Sequence, residues 1–546
     1  MQMTNVLVTD KLNESGLDIL RESSKVDYKP GIPHEELIKI IKDYDALLVR
    51  SQTKVTREVI QACSAKMKII GRAGVGVDNI DLTAATEKGI IVVNSPEGNT
   101  TAAAEHTIAM MMSMARLIPA ADTSMKRNEW RRSDFLGFEI FNKVLGVIGL
   151  GKIGSRVAKT AQAMGMKIIA YDPFVTQEFA SQHRFELVAL TEIWKRADII
   201  TFHIPKTPET ANLLNKDTLK LCKKGVRIVN CARGGIIDEQ ALSDSIKLGH
   251  VAGAAFDVFN EEPVKDSPLL HLSDKVVLTP HLGASTEEAQ INVALDVAEQ
   301  IRDVLLGGYA RSAVNLPAMK PEIIAEVKTY MVLATNLGTI ISQLIDGKVQ
   351  EVQIESKGEL AKKNTEPLNI AILKGILSSS VEGVNFVNAP HIAKERGIKI
   401  IESKSFDTGD YVEELKIVLR TDKGTKVIAG TLLAQGIPSI VQIDNYAMNA
   451  TPAEHMLLTH HQDKPGMIAQ VSTILWQGNI NISSMHVGRN GPREMSVMIL
   501  NLDDPIPNEL IKKVLQVEGV LEARYVKLKT NNGETSKSRE LEPILS

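Results

Sequence analysis

Short apolar runs alternate with amphipathic stretches from the first residues of the chain. Segments 6–8, 25–28, 46–49, 68–71 and 90–93 read as strands, and 15–22, 34–42, 56–63 and 82–87 read as helices. Strands so short and so apolar are buried on both faces, which predicts a parallel sheet with helices on either side. An alanine- and methionine-rich helix is predicted over 100–117. A polar loop around Trp130 leads from it to a second β/α series over 143–281. Ile291, Leu295, Ala298, Ile301 and Leu305 recur at helical spacing, so 286–306 is one helix, ended by Gly307-Gly308. The pattern then changes. From 320 to 452 a long helix precedes strand-like runs at 411–419 and 426–433, which predicts a mixed α+β unit without catalytic spacing. Strands at 456–460, 480–487, 493–500 and 520–527, with helices at 466–476 and 507–516, give the order β-α-β-β-α-β of a ferredoxin-like unit. Residues 529–546 are polar and are expected to form a flexible tail.

Composition narrows the classes. At about 150 residues per domain, 546 residues imply three or four domains. An apolar share of 44% with 24% charged residues gives material for ordinary cores. Lys plus Arg (63) nearly balances Asp plus Glu (66), a net charge of −3, so no positive field points to nucleic acid or to an anionic membrane. The three cysteines, Cys63, Cys222 and Cys231, contain no C-x-x-C pair, so neither a disulfide framework nor a cysteine-based zinc site is expected, and no metal is assigned. With no secretory leader and no apolar run of membrane-spanning length, a cytoplasmic location is expected.

The strongest chemical signal is Gly149-Leu150-Gly151-Lys152-Ile153-Gly154, which follows the apolar segment 144–148 and opens a helix. In that setting the glycines allow a tight turn, backbone approach to a pyrophosphate and close packing of helix on strand. The bland alternative is a glycine-rich turn without a ligand. Asp172, 18 residues past Gly154 and just after strand 167–171, suits a carboxylate that accepts ribose hydroxyls and repels a 2′-phosphate, favouring NAD over NADP. A nicotinamide cofactor needs a substrate that exchanges hydride and a base near neutral pH. Arg233 follows strand 227–229, Glu262 lies in Asp257-Val-Phe-Asn-Glu-Glu-Pro263, and His281 lies in Thr279-Pro-His-Leu-Gly-Ala-Ser-Thr286. Each alone reads equally well as a surface or turn residue.

Together these segments resemble the D-2-hydroxyacid dehydrogenase family. Val49-Arg-Ser-Gln-Thr-Lys-Val55 and Gly71-Arg-Ala-Gly-Val-Gly-Val-Asp-Asn79 are similar to the branch that oxidises 3-phospho-D-glycerate, in its long form with an intervening domain and an ACT domain. The resemblance implies an α/β fold with two doubly wound catalytic domains, flavodoxin-like and Rossmann. It divides the chain into a substrate-binding domain (1–97 and 283–315), an NAD-binding domain (98–282), an intervening α+β domain (316–453) and an ACT regulatory domain (454–528). It implies NAD-dependent oxidation of 3-phosphoglycerate to 3-phosphohydroxypyruvate, the first step of L-serine biosynthesis. Arg233 would bind the substrate carboxylate, His281 exchange the hydroxyl proton, and Glu262 hold the imidazole. Arg50, Ser51 and Arg72 would lie near the substrate, and Arg132 would reach a phosphate from a neighbouring subunit of a homodimer or homotetramer. Besides the glycine fingerprint and Asp172, cofactor contacts would fall on Lys152, Ile153, Val75, Ile204, Cys231 and Asp257. Hydride transfer needs no covalent intermediate, so Cys231 is not expected to act as a nucleophile.

ACT domains pair and bind amino-acid effectors. Here His461, Asp463 and Asn481 fit that pattern with one departure: serine-inhibited relatives carry an amide where this chain has Asp463, which would repel a ligand carboxylate. Two further readings stand at this point, a dehydrogenase of an unphosphorylated 2-hydroxy acid and an NAD-sensing corepressor.

Overall fold

The computed structural model describes residues 3–272, 275–316, 321–407 and 409–528. The expected tail at 529–546 lies outside them.

The first sheet is built from β1 (Thr4–Val8), β2 (Ser24–Tyr28), β3 (Ala46–Val49), β4 (Ile69–Arg72) and β5 (Ile91–Asn94), all parallel, in the order β2-β1-β3-β4-β5. This is the flavodoxin-like order, and its direction reverses between β1 and β3. Arg72, expected just beyond its strand, is the last residue of β4 because Gly71 and Arg72 still pair with Val93 and Asn94. Helix 34–42 ends earlier than its apolar spacing suggests, at Ile40, and a 3-10 turn carries Ile41 into the core.

The second sheet holds β6 (Val144–Ile148), β7 (Lys167–Tyr171), β8 (Glu186–Leu187), β9 (Ile199–Phe202), β10 (Val226–Asn230), β11 (Val251–Phe256) and β12 (Val276–Leu278). It is also parallel, in the order β12-β11-β10-β9-β6-β7-β8, with its reversal between β6 and β9. That is the Rossmann arrangement, which places a dinucleotide at the carboxyl ends of β6 and β9.

The chain passes from the first unit to the second ahead of helix Thr100–Arg116, and returns through 281–286 into helix Glu287–Leu305. Thr286 caps the returning helix by accepting from Ala289 N–H. Val297 and Ile301 press onto the first sheet where Gly71 leaves room: a Cβ there would come within 2.5 Å of Val297 Cγ1. Asn315 then secures the edge strand, accepting from Val92 N–H and donating to Ile90 O, both at 2.9 Å.

After helix Pro321–Gln343 comes a six-stranded sheet: β13 (Val349–Gly358), β14 (Lys399–Ser405), β15 (Glu413–Thr421), β16 (Gly424–Leu433), β17 (Ile437–Ile443) and β18 (Tyr446–Ala450), in the order β14-β13-β15-β16-β17-β18. The strand expected at 411–419 is shifted to Glu413–Thr421, where its pairing with Val349–Gly358 holds Leu415, Ile417 and Leu419 in the core. The last sheet, β19 (His455–Gln462), β20 (Ile482–Arg489), β21 (Met495–Leu502) and β22 (Val520–Lys527), is antiparallel in the order β20-β21-β19-β22, the ferredoxin-like pattern. Its outer face is covered by its own helices. Its inner face, with Met456, Leu458, Ile499 and Val526, joins a single apolar seam. That seam runs through Tyr330, Leu337 and Ile341 and on to Ile301, Val6 and Leu48 of the first unit. The second sheet has separate cores. No helix among the described residues is long and apolar enough to cross a membrane.

Candidate active site

Every candidate catalytic residue stands at or just past the carboxyl end of a parallel strand. At the switch point of the first sheet, Asp10 is 1% exposed, and its carboxylate accepts from the N–H of Arg50 (2.6 Å) and from the Thr53 hydroxyl (2.7 Å). This fixes the backbone from which the Arg50 side chain leaves, and Nη1 of Arg50 donates to Lys11 O at 3.1 Å. Arg72 stands two strands along, with a buried Nε that has no partner. Burial, and then the nearby charges of Arg233 and Arg50, lower its guanidinium to about 10. Three like charges therefore converge with incomplete compensation, an arrangement that favours a bound polyanion.

Arg233 comes from the second sheet. Asn230, the last residue of β10, shapes its loop by accepting from Ala232 N–H (3.1 Å) and donating to Arg233 O (2.9 Å). Nη1 of Arg233 donates to Ala232 O, and its Nε donates to Asp78 Oδ2 at 3.2 Å, tying the two units together.

His281 lies at the return to the first unit, with φ of 57°. Its Nδ1 is 2.6 Å from Glu262 Oε2, while Glu262 Oε1 accepts from Phe259 N–H at 3.0 Å. Burial pushes the Glu262 carboxyl up, but the hydrogen bonds from His281 and Phe259 outweigh it and hold the group below the usual carboxylate range. The carboxylate thus fixes the imidazole's orientation and leaves Nε2 as the basic nitrogen. The loop beneath is held by Asp257, which is wholly buried. It accepts from Thr279 Oγ1 (2.6 Å), Leu282 N–H (2.7 Å) and Gly283 N–H (2.9 Å), and lies 3.1 Å from His106 Nε2. Asp257, expected at the cofactor, is thus turned to the loop that carries His281.

The glycine turn has the shape a dinucleotide needs. Gly149 adopts φ of 94°, and a Cβ there would lie 2.5 Å from His203 O. At Gly154 a Cβ would collide with Gly149 O, whereas at Gly151 it would meet nothing within 4 Å. The space in front of Gly151 is therefore open to a ligand. Asp172 Oδ2 accepts from Leu150 N–H and Oδ1 from Phe174 N–H, both at 2.8 Å, which clamps the carboxylate beside that space with lone pairs to spare. NAD fits this cradle: Gly149 to Gly154 would hold the pyrophosphate and Asp172 would receive the ribose hydroxyls. Ile204 lines the turn, and Val75 O accepts from Asn94. Ile153 packs on the core. Lys152 is paired with Glu97. Burial and the charge of Asp257 raise the Cys231 thiol to about 12, which is no nucleophile at neutral pH.

Some expected residues stay outside the cluster. Ser51 is exposed and makes no side-chain hydrogen bond among the described residues. Arg132 sits exposed on the turn Arg132–Asp134, near Trp130, which is 80% exposed. In the last sheet, Asp463 accepts from Arg489 Nη1 (3.3 Å) and Arg493 N–H (3.1 Å), so its charge is already answered. His461 points inward at 2% exposure, and Asn481 donates to Asp503. Asp78, Asp10 and His106 were missed by sequence reasoning. The position of Asp10 two residues past an apolar strand was the one available signal.

Three family models match the chain: the NAD binding domain of D-isomer specific 2-hydroxyacid dehydrogenases over residues 108–283, the D-3-phosphoglycerate dehydrogenase intervening domain over 326–444, and the ACT domain over 455–519. Among solved structures, the TT0316 protein of Thermus thermophilus is 32% identical with a TM-score of 0.53, covering 57% of this chain and 99% of that one. D-3-phosphoglycerate dehydrogenase of Synechocystis is 51% identical over 96% of this chain and 95% of its own length. That of Methanocaldococcus jannaschii is 47% identical over 96% of this chain and its whole length. With matches of that identity along nearly its full length, the chain belongs to the D-3-phosphoglycerate dehydrogenase family.

Proposed function

We propose that the facing edges of the two parallel sheets form one site for the NAD-dependent oxidation of 3-phospho-D-glycerate to 3-phosphohydroxypyruvate, the first step of L-serine biosynthesis. The observation that carries this reading is the convergence of Arg50, Arg72 and Arg233, three cations with Arg72 lowered to about 10. A phosphate monoester carries roughly 1.5 to 2 negative charges at neutral pH, and the adjacent carboxylate adds one, so substrate and cluster nearly balance.

Arg233 receives the substrate carboxylate through its planar fork, and Arg50 and Arg72 receive the phosphate. His281 Nε2 takes the proton of the reacting hydroxyl while Glu262 stabilises the imidazolium that results. NAD, when bound, accepts the hydride. The unit 1–97 with 283–315 supplies the phosphate cations, 98–282 supplies cofactor and base, and 316–453 and 454–528 are the intervening and regulatory parts. The arginine trio favours the phosphorylated substrate over a plain 2-hydroxy acid. The test compares kcat/KM for 3-phospho-D-glycerate and D-glycerate. We expect at least about a hundredfold preference for the phosphorylated acid, from two charge-assisted contacts; equal values overturn the assignment.

The same reading includes self-association. Trp130 (80% exposed) and Leu136 (89% exposed) flank Arg132, and Ile118, Met125 and Phe141 are also more than half exposed. Exposed apolar side chains of this kind suit a second copy of the chain, which would carry Arg132 toward the neighbouring site. Sedimentation of Trp130→Glu tests it, with a shift to monomer expected. A small effector belongs to the ACT unit, and the enzyme belongs in the cytoplasm, where its three thiols stay reduced.

A further inference from the structure

The intervening sheet carries a cleft that the chemistry above does not use. It measures about 250 Å³ and lies between β13, β14 and the start of helix Glu366–Leu377. In the parallel β13/β14 pair, Ile354 stands opposite Glu402 and Ser356 opposite Lys404, so these four side chains share the face beneath the helix. Ile354 forms an apolar floor. Around it converge Ser356, Thr365 and Asn369, which are 2%, 5% and 5% exposed. None of the three makes a side-chain hydrogen bond among the described residues, and Asn369 Nδ2 is buried without a partner. Buried polar groups are nearly always paired, so three silent ones in one cleft mark a place shaped for something else.

The helix backbone has no use for them. Asn364 Oδ1 accepts from Glu366 N–H at 3.1 Å, residue 367 is proline, and Leu368 and Asn369 N–H donate to Thr365 O at 3.0 and 3.2 Å. The rim adds one charge of each sign. Lys404 Nζ donates to Lys363 O at 2.7 Å, which pins its ammonium at the helix entrance, while the exposed Glu402 makes no hydrogen bond or ion pair among the described residues.

We propose that this cleft binds a small free α-amino acid as its zwitterion. The ligand carboxylate lies against Asn369 Nδ2, the Thr365 hydroxyl and Lys404, at the positive end of the helix dipole. The ligand ammonium faces Glu402. The narrow cleft and the Ile354 floor admit a side chain of a few heavy atoms. The site is independent of the catalytic reading, and it lies in a different sheet from Asp463.

Calorimetric titration of the full chain tests it, with glycine and L-serine as zwitterions and acetate and methylammonium as their halves. Saturable binding of at least one zwitterion is expected. Each half should bind at least about tenfold more weakly, because it loses a charge-assisted contact. Asn369→Leu and Glu402→Gln should each weaken the zwitterion about tenfold, and Asp463→Ala should leave it unchanged. Glu402 is exposed, so its variant keeps the test open if Asn369→Leu does not fold. Absence of binding up to about 50 mM, loss in Asp463→Ala alone, or acetate binding as tightly as glycine would each overturn the proposal, the last by showing a plain anion site.

Discussion

The two parallel sheets follow the same rule of construction and end in opposite electrostatics. In the first, β3 at the switch point and its neighbour β4 deliver Arg50 and Arg72 into a space with too few acids to balance them. In the second, the corresponding edge delivers glycine backbone, Asp172, Asp257 and the Glu262–His281 pair. Topology fixes where a ligand sits, at the carboxyl ends where strand order reverses. The residue that follows each strand decides what kind of ligand it is. Arg233 is the exception that joins the two: it grows from the second sheet and is held by Asp78 of the first.

The comparison can be broken at its centre or at either edge. His281→Ala removes the base proposed to serve both edges, and turnover should fall at least about a hundredfold with NAD affinity nearly unchanged; wild-type turnover would take His281 out of the mechanism. At the first edge, Arg50→Ala or Arg72→Ala should each cost about 1.5 to 3 kcal/mol in kcat/KM for 3-phospho-D-glycerate. Glycerate should barely notice, and equal losses for both substrates would reduce these arginines to a structural role. At the second edge, wild type should prefer NAD over NADP, and Asp172→Ala should narrow that preference about tenfold as the repulsion of a 2′-phosphate disappears.

The smallest effect concerns His203, packed under the glycine turn, whose imidazole is lowered by burial to about 4. Its folded value lies below the ordinary 6.5, so protons favour the unfolded chain. The stability it contributes is complete above pH 6.5 or so and is lost as pH falls toward about 4. Thermal unfolding scanned across that window should show a shallower decline in His203→Gln than in wild type. An identical slope would mean that the His203 imidazole does not set the acid sensitivity of the second edge.

Periodicity made both parallel sheets legible because their strands are uniformly apolar and each loop starts with a residue of distinct chemistry. The intervening sheet was harder to read for a physical reason. In β13 the inward positions include Ser356 and Gly358, and β14 reads Lys-Ile-Ile-Glu-Ser-Lys-Ser, an edge strand with little apolar surface to bury. Polar groups turned inward erase the alternation on which a sequence reading depends. In the site, Glu262 and His281 were legible since each follows its own strand. The pairing of Arg233 with Asp78 was not, because 155 residues separate them and only the docking of two domains brings them together. Asp257 was legible as a functional position but not as the clamp on the His281 loop, since two of its partners are backbone N–H groups that no side-chain pattern reveals and a third, His106, lies far off in the sequence.

The apolar seam from Val6 through Ile301 and Leu337 to Val526 changes how the molecule divides mechanically. By sequence there are four parts, but by continuity of core there are two bodies: the cofactor unit, with its own cores, and everything else. A shared core transmits torque where a tether would only slacken. Any rotation that opens or shuts the space between Arg72 and His281 therefore swings the C-terminal sheet through an arc.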